Sequence, residues 1–188
     1  MINVINWLMK RKIARFEREW SYDARYMHEM VDADPAAAAT FAKLMGLGGY
    51  RKDVPLAVHF AAGIAGTMAE DCGPCTQLTI DMAERAGVAP AILRAIVTRD
   101  FDAMPQEVAL GVRFADATAR HAPEADTLRD DILRRWGKRG LISLTFALLA
   151  ARVFPTTKYA LGHGHACMRL SIGGETRPVA LRAAEKAA

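Results

Sequence analysis

Cys72-Gly73-Pro74-Cys75 is the segment whose residue types and spacing most directly suggest chemistry. Two cysteines three apart at a helix start sit about one turn apart on one face, close enough to form a disulfide with little backbone movement. The unpaired N–H groups and partial positive charge of a helix N-terminus favour thiolate over thiol. Pro74 suits a first turn, where its missing N–H is not needed, and Gly73 leaves room for an incoming substrate or thiol. Dithiol redox chemistry fits these residues, and two other readings stand beside it. The pair could be buried as small hydrophobes. It could also join His163, His165 or Cys167 of the His-Gly-His-Ala-Cys stretch in a four-ligand metal set, although that spacing is not the usual zinc-knuckle form. The redox reading is preferred, with no metal and no cofactor.

The elements that must position the pair read as helices. Apolar residues recur at three- and four-residue spacing, and strict strand-like alternation is absent. Ile2, Ile5, Met9, Ile13, Phe16 and Trp20 form one stripe of an N-terminal helical arm extending to residue 33. Asp34-Pro35 starts a second helix through Ala36–Met45, and Asp53 and Pro55 start a third that leads to the cysteines. Thr76–Arg85 is helical and closed by Gly87, and Pro90–Thr98 and Gln106–Arg120 follow. Thr127–Trp136 ends at Gly137, and Leu141–Phe154 is the most apolar helix, stopped by Pro155. A final helix is predicted from Thr156 to just before Gly173-Gly174, leaving Glu175–Ala188 as a polar tail. The expectation is one all-α domain over residues 1–188.

Composition narrows the function classes. With 188 residues, 52% of them apolar and 24% charged, the chain can bury a core without disulfide staples. The net charge of +4 comes with no recognised nucleic-acid motif or aromatic interleaving, so no nucleic-acid partner is expected. Three cysteines, an odd number, do not suggest a secreted disulfide framework, and Met1–Met9 lacks the basic start of a signal peptide. Leu141–Ala151 is too short to span a bilayer and reads as a buried helix. A cytoplasmic protein without a membrane partner is the expectation. The amphipathic arm is read as an oligomer interface or as packed on the body, and the methionines beyond it as core filler.

The chain from Cys72 to Ala86-Gly87-Val88, with Pro90–Ile96 and Met104–Arg120 after it, resembles the carboxymuconolactone decarboxylase superfamily. More narrowly it is similar to the AhpD-like alkylhydroperoxidase branch, whose members keep C-x-x-C. The likeness is best over Val54–Arg120 and includes the Phe-Ala-Asp-Ala-Thr-Ala-Arg pattern at Phe114–Arg120. A thioredoxin fold is disfavoured because the pair follows the Ala- and Gly-rich Leu56–Met68 rather than a β-branched strand. The resemblance implies an all-helical homo-oligomer that reduces a hydroperoxide or a partner disulfide, with electrons from a thiol/disulfide donor. It also implies that Cys75 attacks peroxide and Cys72 resolves the sulfenic acid. Helix-terminus reasoning alone nominates Cys72, as the more N-terminal and usually more exposed thiol.

Two positions depart from that pattern. The branch places a histidine four residues after the second cysteine, where this chain has Thr79, and a glutamate about twelve before the first, where it has Phe60. A thiolate attacking peroxide needs a base to form it and an acid for the leaving oxygen. The substitutes are His59, one position from the missing glutamate and about 100° round the helix, Glu70 and Asp71 beside Cys72, and His163 or His165 from afar. An adjacent carboxylate would also oppose the thiolate. His28 and His121 read as ordinary helix-surface residues. The alternative function is a non-enzymatic redox sensor or structural helical oligomer. Lactone decarboxylation, found elsewhere in the superfamily, is disfavoured by the retained pair.

Overall fold

Capping residues set the first boundaries. The Asp34 carboxylate accepts the Ala36 N–H at 2.8 Å with Pro35 in the first turn, and Pro90 opens a later helix in the same position. The computed structural model describes residues 2–164 and 169–178. Helices dominate: α1 (Ile2–Trp20), α2 (Arg25–Ala33) and α3 (Pro35–Lys43) lead into a 3₁₀ segment (Leu44–Gly49). Then come α4 (Leu56–Ala69), α5 (Gly73–Arg85), α6 (Pro90–Thr98), α7 (Gln106–Ala119) and α8 (Glu124–Ala160).

α4 is the central element. It is apolar all round, and Val58, Ala61, Ala62, Ile64 and Ala65 are fully buried, as expected of a helix enclosed by others. Packing it needs small residues. A Cβ on Gly66 would lie 2.8 Å from the Ala151 Cβ and 2.9 Å from Leu148, so glycine here sets how near α8 approaches. α7 and α8 cover α4, and Ile80, Leu93, Ile96, Val112 and Leu144 complete the main core. Asp116, inside the Phe114–Arg120 pattern, takes the Arg99 guanidinium through two 2.8 Å hydrogen bonds, tying α7 to the end of α6. A second cluster joins Tyr22, Ala24, Tyr26 and Met27 to Phe16, Phe41, Leu78 and Phe154, so the later half of α1 packs on the body. Val4, Ile5, Trp7 and Leu8, in its first half, are exposed.

Several expectations are corrected. Pro155 does not stop its helix. α8 continues to Ala160, with the Thr156 and Thr157 hydroxyls bonding back to the Arg152 and Val153 carbonyls. The break lies at Gly137, whose φ of 64° and ψ of −171° are not helical. α8 is not wholly buried either: Ile142 and Leu149 are 42% and 46% exposed. By length and composition it could cross a bilayer, as many core helices could, and 39% of its most apolar window is buried in the fold. Met45 is exposed, whereas Met27 and Met104 are in the core.

Of the predicted final helix, among the described residues only 156–160 are helical, as the end of α8, and its far end belongs to a β-hairpin. β1 (Arg169–Ile172) pairs antiparallel with β2 (Glu175–Pro178), so Glu175–Pro178 is strand rather than tail. Gly173 and Gly174, at φ of 60° and 78°, make the two-residue turn that requires left-handed backbone. Leu170 and Ile172 are buried at 2% and 6% exposure, as alternation demands. The hairpin docks on α5: Gln77 donates to the Ser171 carbonyl at 2.9 Å and accepts the Ser171 N–H at 2.7 Å, and Glu84 accepts the Gly173 N–H. His165 and Cys167 lie outside the described residues.

Candidate active site at the Cys72–Cys75 pair

The turn that delivers the cysteines is built by backbone hydrogen bonds. At the end of α4 the Cys72 N–H reaches the Thr67 carbonyl and the Asp71 N–H the Met68 carbonyl, a Schellman closure. Its left-handed position is held by Asp71 at φ 51°, at a strain of about 1 kcal/mol for a residue with a Cβ. Cys72 then caps α5: its carbonyl accepts both the N–H and the hydroxyl of Thr76 at 2.9 Å. Cys75 falls in the first turn. The two are joined by a disulfide, with Cα atoms 5.3 Å apart.

Both sulfurs belong to buried residues. Cys72 is 3% and Cys75 4% exposed, so Cys72 is not the more open thiol that helix-end reasoning suggested. What separates them is a cavity of about 320 Å³. Cys75 lines it and Cys72 does not. Its walls are largely apolar: Phe16, Phe60, Leu78, Met82 and Phe154, with Tyr22, Tyr26 and His59 among the polar side chains.

The residues nominated as relay substitutes have settled partners. His59 is buried on α4 and its Nε2 lies 2.9 Å from the Gly48 carbonyl, so that nitrogen must carry the proton and donate. Its Nδ1 is buried without a hydrogen-bond partner among the described residues. Burial holds the His59 pKa below the ordinary value of 6.5 despite the Gly48 bond. Glu70 accepts Arg152 Nε at 2.6 Å and faces α8, so its charge is balanced rather than turned on Cys72. The Asp71 carbonyl accepts the Tyr159 hydroxyl at 3.2 Å, and its Oδ1 is buried and unpartnered among the described residues. Thr79 lines the cavity, but its hydroxyl donates to the Cys75 carbonyl at 2.9 Å. His163 pairs with Glu29 at 2.8 Å, its ring 6.4 Å from Tyr26.

His59 carries a pH prediction. Its folded pKa lies below its unfolded one, so at acid pH the unfolded chain takes up a proton that the fold resists. Its contribution to stability is intact above the unfolded value near 6.5 and declines as pH falls through that value toward the folded pKa. Denaturant unfolding at pH 7.5 and 5.5 should show a smaller acid loss in His59→Gln, which keeps a donor toward Gly48. An equal loss in both proteins would refute the assignment.

A contact that sequence reasoning missed comes from α1. The Tyr22 hydroxyl lies 3.7 Å from the Cys75 Sγ. α1 ends as α4 does: Ser21 takes a left-handed φ of 48° and the Tyr22 N–H reaches the Glu17 carbonyl. Tyr22 and Cys72 therefore occupy the same position in two copies of one reversal. Nothing local in Ser-Tyr-Asp announces a contact 53 residues away.

Lys158 stands behind Tyr22. It is 4% exposed, its Nζ is 4.7 Å from the Tyr22 ring centre and 5.6 Å from that of Tyr26, and it donates to the Asp23 carbonyl at 3.3 Å. Burial lowers its pKa and pushes that of Tyr22 up to about 12.

Among the described residues no group of three or more His, Cys, Asp or Glu side chains is placed to hold a metal ion, and a disulfide offers no thiolate ligand. No protein-family model, curated protein or solved structure matches the chain.

Proposed function

We propose that this is an AhpD-like thiol peroxidase that reduces an organic hydroperoxide with the Cys72–Cys75 pair. The observation that carries the reading is the asymmetry at the cavity: Cys75 of the disulfide-forming pair lines an apolar chamber and Cys72 does not. A chamber of about 320 Å³ suits a small organic molecule, and its apolar walls favour a substrate with a hydrocarbon body over hydrogen peroxide.

The Cys75 thiolate attacks the terminal oxygen of R–O–O–H, the O–O bond breaks, and the alkoxide takes a proton to leave as alcohol. Cys75 is now a sulfenic acid. The Cys72 sulfur displaces its oxygen as water and the disulfide closes. A dithiol donor returns two electrons and two protons, which a reducing, cytoplasmic setting supplies. The exposed apolar residues Val4, Ile5, Trp7 and Leu8 on α1 and Ile142 and Leu149 on α8 support assembly as a homo-oligomer.

One observation favours a second reading, a redox sensor without rapid turnover. Phe60 carries no proton and the Thr79 hydroxyl is committed to a carbonyl. A single experiment separates the two. Reduced protein is mixed with cumene hydroperoxide and thiols and hydroperoxide are followed together. A peroxidase loses two thiols for each hydroperoxide consumed and turns over when a dithiol is supplied. Oxidation without turnover selects the sensor, and no thiol loss at all ends both readings.

A further inference from the structure

We propose that Tyr22 is the hydrogen-bond donor to the Cys75 sulfur and the proton donor to the oxygen that leaves, in place of the relay pair whose positions Thr79 and Phe60 occupy. Its leaving-group step rests on the hydroperoxide reading above. Its contact with the sulfur does not.

The direction of the hydrogen bond follows from chemistry. A disulfide sulfur has no proton, so across the 3.7 Å contact the phenol is the donor. When the pair is reduced, the same hydroxyl points at the Cys75 thiolate, and a hydrogen bond to the charged form favours that form. Tyr22 is 6% exposed, and in so dry a site the bond is stronger than in water. Its position is fixed by the reversal at the end of α1 and by edge-on packing against Phe16 at 5.7 Å.

Every charged or titratable group around the pair bears on this. Tyr22 and Tyr26 approach from the α1–α2 side, His59 from α4, Lys158 from α8, and Cys72 shares the turn. Asp23 is held by Arg25, and Glu70 by Arg152. Asp71 sits beside Cys72 with its Oδ1 unpartnered among the described residues. The buried cation beside Tyr22 is Lys158, whose Nζ lies over the Tyr22 ring.

The proton accounts close over one turnover. Ionisation of Cys75 releases one proton. The alkoxide formed when the O–O bond breaks is a far stronger base than a phenolate and takes the Tyr22 proton, and water returns one to the phenolate. The Tyr22 phenol, its pKa pushed up to about 12 by burial, is protonated at neutral pH and yields its proton only to a base as strong as that alkoxide.

The test uses full-length protein with Cys72→Ser, so that Cys75 titrates without its disulfide partner, and follows iodoacetamide labelling of the Cys75 peptide against pH by mass spectrometry. Tyr22→Phe should move the labelling profile to higher pH and slow labelling at pH 7 about 10-fold, the size of a lost hydrogen bond to a charged group. Replacing Tyr22 by 3-fluorotyrosine, a stronger donor of nearly the same shape, should move the profile to lower pH, which a folding defect cannot do. In the protein with both cysteines, Tyr22→Phe should slow oxidation by cumene hydroperoxide about 100-fold, within the range for a lost general acid. Profiles that coincide for tyrosine and phenylalanine, or that move the same way for phenylalanine and fluorotyrosine, overturn the proposal. If the parent ignores cumene hydroperoxide while the labelling profiles part as expected, the peroxidase reading fails and the Tyr22–thiolate contact stands.

Discussion

Cys75→Ser should abolish hydroperoxide consumption, whereas Cys72→Ser should leave one round of oxidation that does not recur. The two cysteines look equivalent by burial and share one turn, yet only Cys75 lines the cavity. A serine hydroxyl there is not ionised at neutral pH and cannot attack the O–O bond, so the rate should fall more than about 1,000-fold. With Cys72 removed, attack still occurs, but the sulfenic acid has no thiol among the described residues to condense with and should be trapped by dimedone. Mass spectrometry of Cys75 after one equivalent of cumene hydroperoxide measures this directly. Should the adduct form on Cys72 in the Cys75→Ser protein, the order would be the reverse of the one proposed. Full turnover in either variant would remove the pair from the chemistry.

Filling the chamber should separate organic hydroperoxides from hydrogen peroxide. Cys75, Leu78, Thr79 and Met82 follow one another along one face of α5, and all line the cavity. Met82 lies seven residues beyond the sulfur, about 10 Å along the helix. Met82→Trp puts an indole where a hydrocarbon body would lie while leaving the sulfur's own surroundings alone. Cumene hydroperoxide should be reduced about 10- to 100-fold more slowly, the range by which pocket volume discriminates substrates. Hydrogen peroxide, which needs no chamber, should slow by less than about threefold. Equal losses for both oxidants would show that the cavity does not hold the substrate.

Much of the scaffold was legible in the sequence because its signals are local. Asp34-Pro35 caps α3, Pro90 opens α6 and Gly137 breaks α8, each through backbone chemistry that neighbours dictate. Pro155 shows where that logic yields: long-range packing of Lys158 and Phe154 holds the chain helical beyond it. The hairpin was missed although its signal is present. Gly173-Gly174 is a turn dipeptide, and Leu170 and Ile172 alternate, but two strands of four residues are easily taken for the end of a helix.

The site was less legible than the fold. Glu70 and Asp71 were nominated because they adjoin Cys72 in sequence, yet one pairs with α8 and the other shapes the turn. Tyr22 approaches from the far end of another helix, and no periodicity encodes such a meeting.

The Gln77–Ser171 pair closes what would otherwise be an open sheet edge. With a two-residue turn, Ile172 and Glu175 exchange their hydrogen bonds with each other, and Ser171, opposite Thr176, turns its N–H and carbonyl away from β2. A side-chain amide has the same donor and acceptor as a peptide group, and Gln77 presents both to Ser171. At that register α5 stands in for a third strand. A two-stranded ribbon with a free outer edge invites strand addition from another chain and the aggregation that follows. Here one glutamine on the helix that bears the redox pair occupies the docking position at Ser171, so the outer edge of β1 is protected there wherever α5 stays folded.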